Sequence, residues 1–429
     1  MMSVPCLIAL IVLVSIIVVG IRLNINLGVL GLVAAYICGS VIGGIPAGNI
    51  LGMWPISVMT QVICIMLFFG VAMTNGTFKA VADKIIYAGR GFAPLMPFLL
   101  YLSILLVALV GTGSTAVYIM ALPIYLIAKD IKMKPGFIPI IVIAGLNAGS
   151  WQIFSRDGAV ASGIMANAGF TTQQATEIGT KLGLHYLLTS LLLFAVGYVI
   201  FQGWKCQALV TDKPTPFTRD QRVTLILVAA FVLIYMVPTI LGNFIDSAAL
   251  DFINARLNLF TLACVFTLLC LILKLSDMKQ MLDTVPWMAL ITVGGMGTFI
   301  KVCTELGVVD VLSSFISNNV DPAWVPSVLA LSAGCMSLFT ATISVVLPTF
   351  YPIAFSLAET MSISPALMVS ALTIGSGMAG ISPFSTMGAV TYSVIGEEDK
   401  QKVFVSEIFT VLLAFALVQV CILIGLYNI

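Results

Sequence analysis

The chain has 429 residues, of which 60% are hydrophobic and only 9% are charged, and its formal net charge is +1. Soluble domains are about 45–50% apolar and about 25% charged, so this composition indicates a membrane protein. The sequence contains no Walker-type glycine loop, no basic nucleic-acid patch and no Cys-x-x-Cys spacing. Nucleotide-driven pumps, nucleic-acid binders and disulfide or zinc frameworks are therefore not indicated.

Apolar stretches of helix length recur along the chain, whereas the alternating ten-residue segments of an outer-membrane barrel do not. The predicted fold is an all-α polytopic membrane protein. No Lys or Arg precedes the apolar residues 1–20 and a similar stretch follows them, which predicts a first span rather than a cleaved signal peptide. The candidate spans are 4–20, 27–46, 56–76, 137–167, 181–202, 222–241, 257–274, 285–301, 366–395 and 404–427.

Two further apolar pairs lie between these spans, one between the third and fourth and the other between the eighth and ninth. The first pair is 92–110 with 114–128, and the second is 323–339 with 343–358. Each pair turns at a cluster of small polar residues. We interpret both as re-entrant hairpins, which are tolerated at membrane depth only where protein or a wet cavity satisfies their backbone.

The positions of the 19 basic residues provide a test of this topology, because Lys and Arg concentrate in cytoplasmic loops. If the hydrophilic linker 203–221 is cytoplasmic, only Lys181, Arg256 and Lys301 fall outside, and Arg156 lies within the membrane. Both termini then face outward. The fifteen basic residues placed inside are Arg22, Lys79, Lys84, Arg90, Lys129, Lys132, Lys134, Lys205, Lys213, Arg219, Arg222, Lys274, Lys279, Lys400 and Lys402.

The two halves of the chain resemble each other at a spacing of about 230 residues. Pro123 corresponds to Pro352 and Gly145 to Gly375, and in looser form Trp54-Pro55 and Gly76-Thr77-Phe78 recur as Pro286-Trp287 and Gly297-Thr298-Phe299. Five spans per half, an odd number, predict an inverted second copy, as in secondary transporters. The predicted first repeat is 1–202, and it contains scaffold helices 4–76, hairpin 92–128 and broken helix 137–167. A cytoplasmic linker, 203–221, follows. The predicted second repeat is 222–429, and it contains scaffold helices 222–301, hairpin 323–358 and broken helix 366–395.

The hairpin tips and broken helices carry the candidate chemistry. The tips read Gly111-Thr112-Gly113-Ser114-Thr115-Ala116 and Thr340-Ala341-Thr342-Ile343-Ser344. Their hydroxyls, carbonyls and amides suit an alkali cation or an anion, although small residues also serve helix packing. Glycine runs 145–150 and 375–380 predict an unwound turn, since each interior glycine costs up to about 1 kcal/mol relative to alanine.

Arg156 is the one basic residue placed inside a span, where a charge costs at least about 2.5–3.5 kcal/mol. Its planar fork suits a carboxylate, so Arg156 is predicted to grip the substrate. The alternatives are a structural ion pair with Asp157 or another acid, or a span boundary that leaves Arg156 in solvent. Asp157 is a candidate orienting partner, cation ligand or proton carrier. His185, the only histidine, is interpreted as a packing residue.

On these features the chain resembles the ion transporter superfamily, in particular the divalent anion/sodium symporters and the MatC-type dicarboxylate carriers. The tip from Gly113 through Ala116 to Pro123 is similar to the Ser-Asn-Thr tip and following proline of the symporters, and the first half is similar to MatC-type amino-terminal regions. The tip asparagine and the Pro-Pro pair of the symporters are absent here. The resemblance implies a homodimer, an elevator motion, Na+ bound between tips and broken-helix loops, and a dicarboxylate between the tips.

The predicted function is cation-coupled symport of a small dicarboxylate, with Na+ favoured over H+, no cofactor and no enzymatic activity, in the inner (plasma) membrane. An Na+/H+ or oxyanion antiporter is the alternative, and an intramembrane enzyme is the remotest. The predicted substrate ligands are Ser114, Thr115, Ser155, Arg156, Asp157, Thr342, Ser385 and Thr386. The predicted Na+ ligands are Gly113, Ser114, Asn147, Gly149, Thr340, Thr342, Gly377 and Ala379.

Overall fold

The computed structural model describes residues 3–23, 25–109, 113–209, 213–242, 259–285, 287–338 and 340–429. Within these ranges the chain is helical or in connecting turns, and no β-strand occurs. The predicted all-α architecture is confirmed to that extent. Gly111, Thr112, Arg256 and Pro286, on which parts of the sequence interpretation rest, lie outside the described residues.

Ten helices occupy the described part of the first half. They are α1 (Val4–Leu23), α2 (Leu27–Ala34, continued as a π-helix over Ala35–Ile42), α3 (Ala47–Gly52), α4 (Ile56–Thr74), α5 (Thr77–Ala88), α6 (Met96–Val107), α7 (Ala116–Asp130), α8 (Ile138–Ser150), α9 (Arg156–Asn167) and α10 (Thr172–Ile200). Two of them begin at recognisable caps. The Asn26 side chain accepts bonds from the amides of Gly28 and Val29, and Thr171 with Gln174 forms a capping box.

The described part of the second half repeats this order of elements. Its helices are α11 (Arg219–Gly242), α12 (Leu259–Ile272), α13 (Met278–Asp283), α14 (Trp287–Glu305), α15 (Val308–Asn319), α16 (Val325–Ser337), α17 (Leu347–Met361), α18 (Pro365–Met378), α19 (Thr386–Ser393) and α20 (Glu397–Leu423). Corresponding helices have similar lengths: α4 and α14 have 19 residues each, α5 and α15 have 12, and α7 and α17 have 15.

A left-handed glycine marks the bend after the third long helix of each half. Gly76 has φ of 73° between α4 and α5, and Gly307 has φ of 83° between α14 and α15. The predicted correspondence of Gly76 with Gly297 is therefore wrong, since Gly297 lies inside α14. The amphipathic helices α5 and α15 were not predicted either, because a search for continuous apolar stretches passes over helices with one polar face.

The hairpins are formed by α6 with α7 and by α16 with α17. Helices α6 and α16 have 12 and 13 residues, so each is about 18–20 Å long and shorter than a bilayer core of about 30 Å. A 3₁₀ turn, Gly113–Thr115, leads into α7, and a π-helical turn, Thr342–Val346, leads into α17.

Four helices in the described ranges are long and apolar enough to cross a membrane: Thr172–Ile200, Thr342–Met361, Pro365–Ser393 and Glu397–Leu423. A bent pair, Ile63–Thr74 with Thr77–Ala88 at 58°, adds a fifth. The sequence predicted ten spans. Several of the remaining apolar helices are shorter than such a span, and α11 and α12 adjoin residues outside the described ranges, so the count of ten stays a prediction.

The predicted unwinding of 145–150 and 375–380 is wrong for 145–150 and 375–378, which are the helical ends of α8 and α18; only Ala379 and Gly380 fall in the break that follows. A Cβ at Gly145 would lie 2.8 Å from the carbonyl oxygen of Tyr101, one at Gly149 would meet the backbone of Leu105, and one at Gly375 would lie 2.5 Å from the carbonyl oxygen of Ala330. These glycines let α8 and α18 pack closely on α6 and α16. The breaks come later, at 151–155 and 379–385.

Candidate functional site

The central cavity lies where the two hairpin tips meet the breaks after α8 and α18. Its volume is roughly 230 Å³. One wall is formed by α14, and the others by the tips and broken-helix segments of both halves. The lining residues are Ser114, Leu146, Asn147, Trp151, Arg156, Asp157, Val160, Leu290, Val293, Ser337, Thr340, Ala341, Thr342, Ile343, Ser344, Gly377, Gly380, Ser385, Thr386 and Met387.

Arg156, Asp157 and Ser114 form one hydrogen-bonded group in this cavity. The Arg156 Nε donates to Asp157 Oδ1 at 2.9 Å, and the Arg156 Nη2 donates to Ser114 Oγ. The backbone amide of Ser114 donates to Asp157 Oδ2 at 2.7 Å. The Arg156 and Asp157 side chains are 9% and 1% exposed. This buried ion pair neutralises both charges and fastens the first tip to the start of α9.

Gly113 allows that close approach of the tip to α9. Its φ is +53°, a left-handed conformation that other residues rarely adopt. A Cβ at this position would lie 2.8 Å from Asp157 Oδ1 and 3.0 Å from Arg156 Cβ. Gly113 was predicted as an Na+ ligand, whereas the structure places it against the ion pair and not in the cavity lining.

The amino-terminal ends of two helices face the central cavity, through Arg156 of α9 and Thr386 of α19. The residues before them differ in what their hydroxyls bind. Ser385 accepts a bond from the Gly388 amide and so caps α19. Ser155 forms no such cap; its hydroxyl donates to the carbonyls of Ser150 and Gln152. Ser155 therefore leaves the amino terminus of α9 uncapped, and amides at such a helix end favour an anion.

Asn147 links the two broken helices across the cavity. Its Nδ2 donates to the carbonyl oxygen of Gly377 at 3.1 Å, and its Oδ1 accepts from Trp151 Nε1 at 3.3 Å. The Trp151 ring stacks on Tyr186, with centroids 4.9 Å apart and planes at 5°. The two halves are thus joined at equivalent positions, and both predicted cation ligands of this pair line the cavity.

The second tip contributes hydroxyls to the opposite wall. Thr342 Oγ1 and Ser337 Oγ are 2.6 Å apart, and Thr342 also donates to the carbonyl oxygen of Ser376 at 3.4 Å. The Thr340 hydroxyl donates to the carbonyl oxygen of Met336 at 2.8 Å. Oxygen atoms of this kind are the ligands that alkali cations use, and Thr340 and Thr342 line the same cavity as Arg156.

The structure brings most predicted site residues together. Besides Gly113, four predicted residues do not line the cavity: Ser155, which bonds the turn before it, and Thr115, Gly149 and Ala379. Sequence reasoning missed Leu290 and Val293 of α14, the apolar wall, because no residue pattern reveals which face of a scaffold helix meets the tips. His185 lies elsewhere, buried with its Nδ1 2.8 Å from Ser370 Oγ, as a packing residue would be.

The groups that line the central cavity suit binding of a small carboxylate better than catalysis of an acid–base reaction. The bonds of Arg156 use Nε and Nη2, so its fork retains donors for an anion, and the α9 amides add a dipole. The opposite wall offers hydroxyl and carbonyl oxygens. Among the described residues no group of three or more His, Cys, Asp or Glu side chains is placed to hold a metal ion.

Comparison with known proteins agrees with a carrier. Residues 2–150 match the family model described as the dicarboxylate carrier protein MatC N-terminus. The solved structures that match include the YdaH transporter of Alcanivorax borkumensis, whose crystal structure was reported to reveal an unusual topology; the TM-score is 0.61 at 15% identity, over 88% of this chain and 87% of that chain. No curated protein matches the chain.

The predicted resemblance to MatC-type carriers is confirmed over residues 2–150. At 15% identity the likeness to the YdaH transporter shows the fold alone. The family match and the composition together identify a membrane transporter and not an enzyme.

Proposed function

We propose that this transporter carries a small dicarboxylate, such as malonate or succinate, through the inner membrane by cation-coupled symport. The observation that carries this proposal is the central cavity, in which Arg156 and the uncapped amino terminus of α9 face oxygen-rich segments of the second half. One carboxylate of the substrate would be held by Arg156 and the α9 amides. The matched family model, named for a dicarboxylate carrier, supports the same class of substrate.

Cation coupling follows from the charge that is moved. Bringing one negative charge inward against an inside-negative potential costs about 2.3 kcal/mol per 100 mV, and a dicarboxylate carries two. Arg156 is already neutralised by Asp157, so it supplies no net charge to offset the substrate. Na+ bound by tip and broken-helix oxygens, among them those of Thr342 and Gly377, would balance that charge. H+ is the alternative coupling ion.

The motion that we propose is an elevator. The tips, α8, α9, α18 and α19 would move as one unit against α4 and α14, because α14 is the one scaffold helix of the described residues that lines the cavity, and α4 packs on α9. In this proposal the two halves are inverted copies and the transporter is a homodimer, as the family resemblance implies. Light scattering of the detergent-solubilised protein would test the dimer.

The decisive experiment is uptake of labelled malonate and succinate into proteoliposomes that contain the full chain. An inward Na+ gradient, an inward H+ gradient and no gradient are compared, with the membrane potential clamped by K+ and valinomycin. We expect accumulation above equilibrium under the Na+ gradient. The matched variants are Arg156→Ala, which should abolish uptake, and Lys181→Ala, an exposed position on α10 that should leave it unchanged.

Three results would overturn parts of this proposal. Failure of either dicarboxylate to accumulate under any gradient would reject the substrate class. Accumulation under the H+ gradient alone would reject Na+ as the coupling ion. Uptake that is undiminished in Arg156→Ala would reject the carboxylate grip. Proton movement driven by Na+ without any organic anion, seen with a pH-sensitive dye, would instead support the antiporter.

A further inference from the structure

A second cavity, here called the Lys301 cavity, adjoins the central one. Its volume is roughly 270 Å³, and it lies between α14, the end of α9 and the start of α17. Asn167 of α9, Pro352 of α17 and Lys301 of α14 contribute to its walls. Val293 lines both cavities, so only one layer of side chains separates them.

The residues of α14 that line the two cavities lie along one face of that helix. Four of them, Leu290, Val293, Gly297 and Lys301, follow one another at intervals of three or four residues, which is the spacing of a single helical face, and Ile300, Thr304 and Glu305 extend the lining around Lys301. Lys301 lies eight residues beyond Val293, or about 12 Å along the axis. The face forms a continuous track from the central cavity to Lys301.

Lys301 has no ion pair among the described residues. Its ammonium donates to the neutral Asn167 Oδ1 at 3.0 Å, and the side chain is half-buried. Glu305, one turn further along, also lines the cavity, but it is exposed and no salt bridge joins it to Lys301. A half-buried ammonium with one neutral partner retains two donors for another acceptor.

The position of Lys301 in the charge pattern is also unusual. With Lys181 and Arg256 it is one of three basic residues that fall on the outer side when fifteen others fall inside. The predicted topology disfavours a lysine here, and no carboxylate of the described residues is paired with it. An anion that passes along the α14 track would account for both observations.

We propose that the Lys301 cavity is a second anion-binding site, in which Lys301 and Asn167 hold a carboxylate before it reaches the central cavity from the outer side. This inference rests on the proposed dicarboxylate transport. The site raises the local concentration of the anion at the entrance and is vacated when the anion moves past Val293. It therefore contributes to capture of the substrate more than to the transport step.

The concentration dependence of malonate uptake tests this site. For Lys301→Met we expect KM to rise about fivefold or more with a maximal rate within about twofold of the original chain, because a capture step is weakened. Lys301→Arg should restore KM, and Lys181→Met is the matched control that should not change it. An unchanged KM in Lys301→Met would overturn the proposal.

A thiol-protection experiment decides the question even if Lys301→Met fails to insert or transport. Thr304 lines the cavity and is exposed, so Thr304→Cys offers a thiol to an anionic methanethiosulfonate reagent. Malonate should slow the modification of this thiol. The protection should persist when Arg156→Met removes the grip in the central cavity. The original chain, treated in the same way, gives the background from the native cysteines. Absence of protection in a chain that still takes up malonate would overturn the site; absence of uptake in the original chain would instead refute the proposed function.

Discussion

Arg156 shows what a single residue contributes to this site. Its side chain is buried beside Asp157 and Ser114, so the structure shows the ion pair that the sequence left as the alternative, and the substrate grip stays a prediction. A single sequence indicates that a charge within a span needs compensation. It does not reveal that Ser114, 42 positions earlier, supplies one of the partners.

Arg156→Lys tests whether the planar fork matters beyond its charge. Lysine keeps the charge but cannot bond Asp157, Ser114 and a carboxylate in one plane, so one charge-assisted bond is lost, worth about 1.5–3 kcal/mol. We expect malonate uptake, measured as maximal rate over KM, to fall about tenfold or more. Equal uptake by Arg156→Lys and the original chain would show that only the charge is needed.

Glu407 was not singled out in the sequence, yet the structure buries it completely. It lies within α20, and neither carboxyl oxygen has a hydrogen-bond partner among the described residues. A buried polar group without partners opposes folding, so an apolar side chain of similar size is tolerated better. Whether the Glu407 carboxyl finds a hydrogen-bond partner depends on which distant segments pack around it, so no local sequence pattern reveals that it has none among the described residues.

Glu407→Met should therefore stabilise the transporter. We expect the midpoint of thermal unfolding in detergent to rise by about 2 °C or more. Unfolding is followed with a dye that fluoresces on reaction with buried cysteines such as Cys38 and Cys303 as they become exposed. Glu359→Met, at an exposed position on α17, is the control and should not raise the midpoint. A lower midpoint in Glu407→Met would show that the carboxyl has a structural role.

At the scale of elements, the arms of both hairpins are helices where the sequence predicts them, and the broken helices match only in part. Polar tips between apolar arms are visible in the sequence, but residues 110–112 of the first tip lie outside the described residues, and re-entry into the membrane stays a prediction. The glycine runs 145–150 and 375–380 predict unwound turns, whereas 145–150 and 375–378 are helical and pack against α6 and α16. Propensity favours unwinding, but close packing between helices overrides it.

Gly149→Ala and Gly375→Ala measure this packing. An added methyl would meet the backbone of Leu105 or Ala330, which cannot move aside as a flexible side chain can, so the helices must separate. Overpacking costs about 1–3 kcal/mol, and we expect the unfolding midpoint to fall by roughly 2 °C or more. In the control Gly48→Ala the methyl would meet nothing within 4 Å, and the midpoint should be unchanged. Equal midpoints in all three variants would refute the packing role.

At the scale of the whole molecule, several loops that the charge pattern assigns to the cytoplasmic side are in contact with one another. The Gln207 amide donates to the carbonyl of Ile131 at 2.8 Å, and the Leu209 amide donates to that of Arg90 at 3.1 Å. Lys129 and Glu398 form an ion pair at 2.6 Å. The linker, the loop after α7, the end of α5 and the start of α20 thus lie together. Charge patterning captured this arrangement because it depends on the sum of many residues and not on any one contact.

The sidedness of this cluster can be tested with reporter fusions. If the linker is cytoplasmic, a fluorescent protein inserted at Lys213 should fluoresce, and alkaline phosphatase fused after Ile429 should be active, since that enzyme folds only outside the cytoplasm. The physical reason is the excess of fifteen basic residues over three on the linker side. Exchanging the two reporters should silence both. Activity of phosphatase at Lys213 would show that the orientation is the reverse of the predicted one. Lys301 would then lie on the cytoplasmic side, and the Lys301 cavity would bind the anion as it leaves the central cavity.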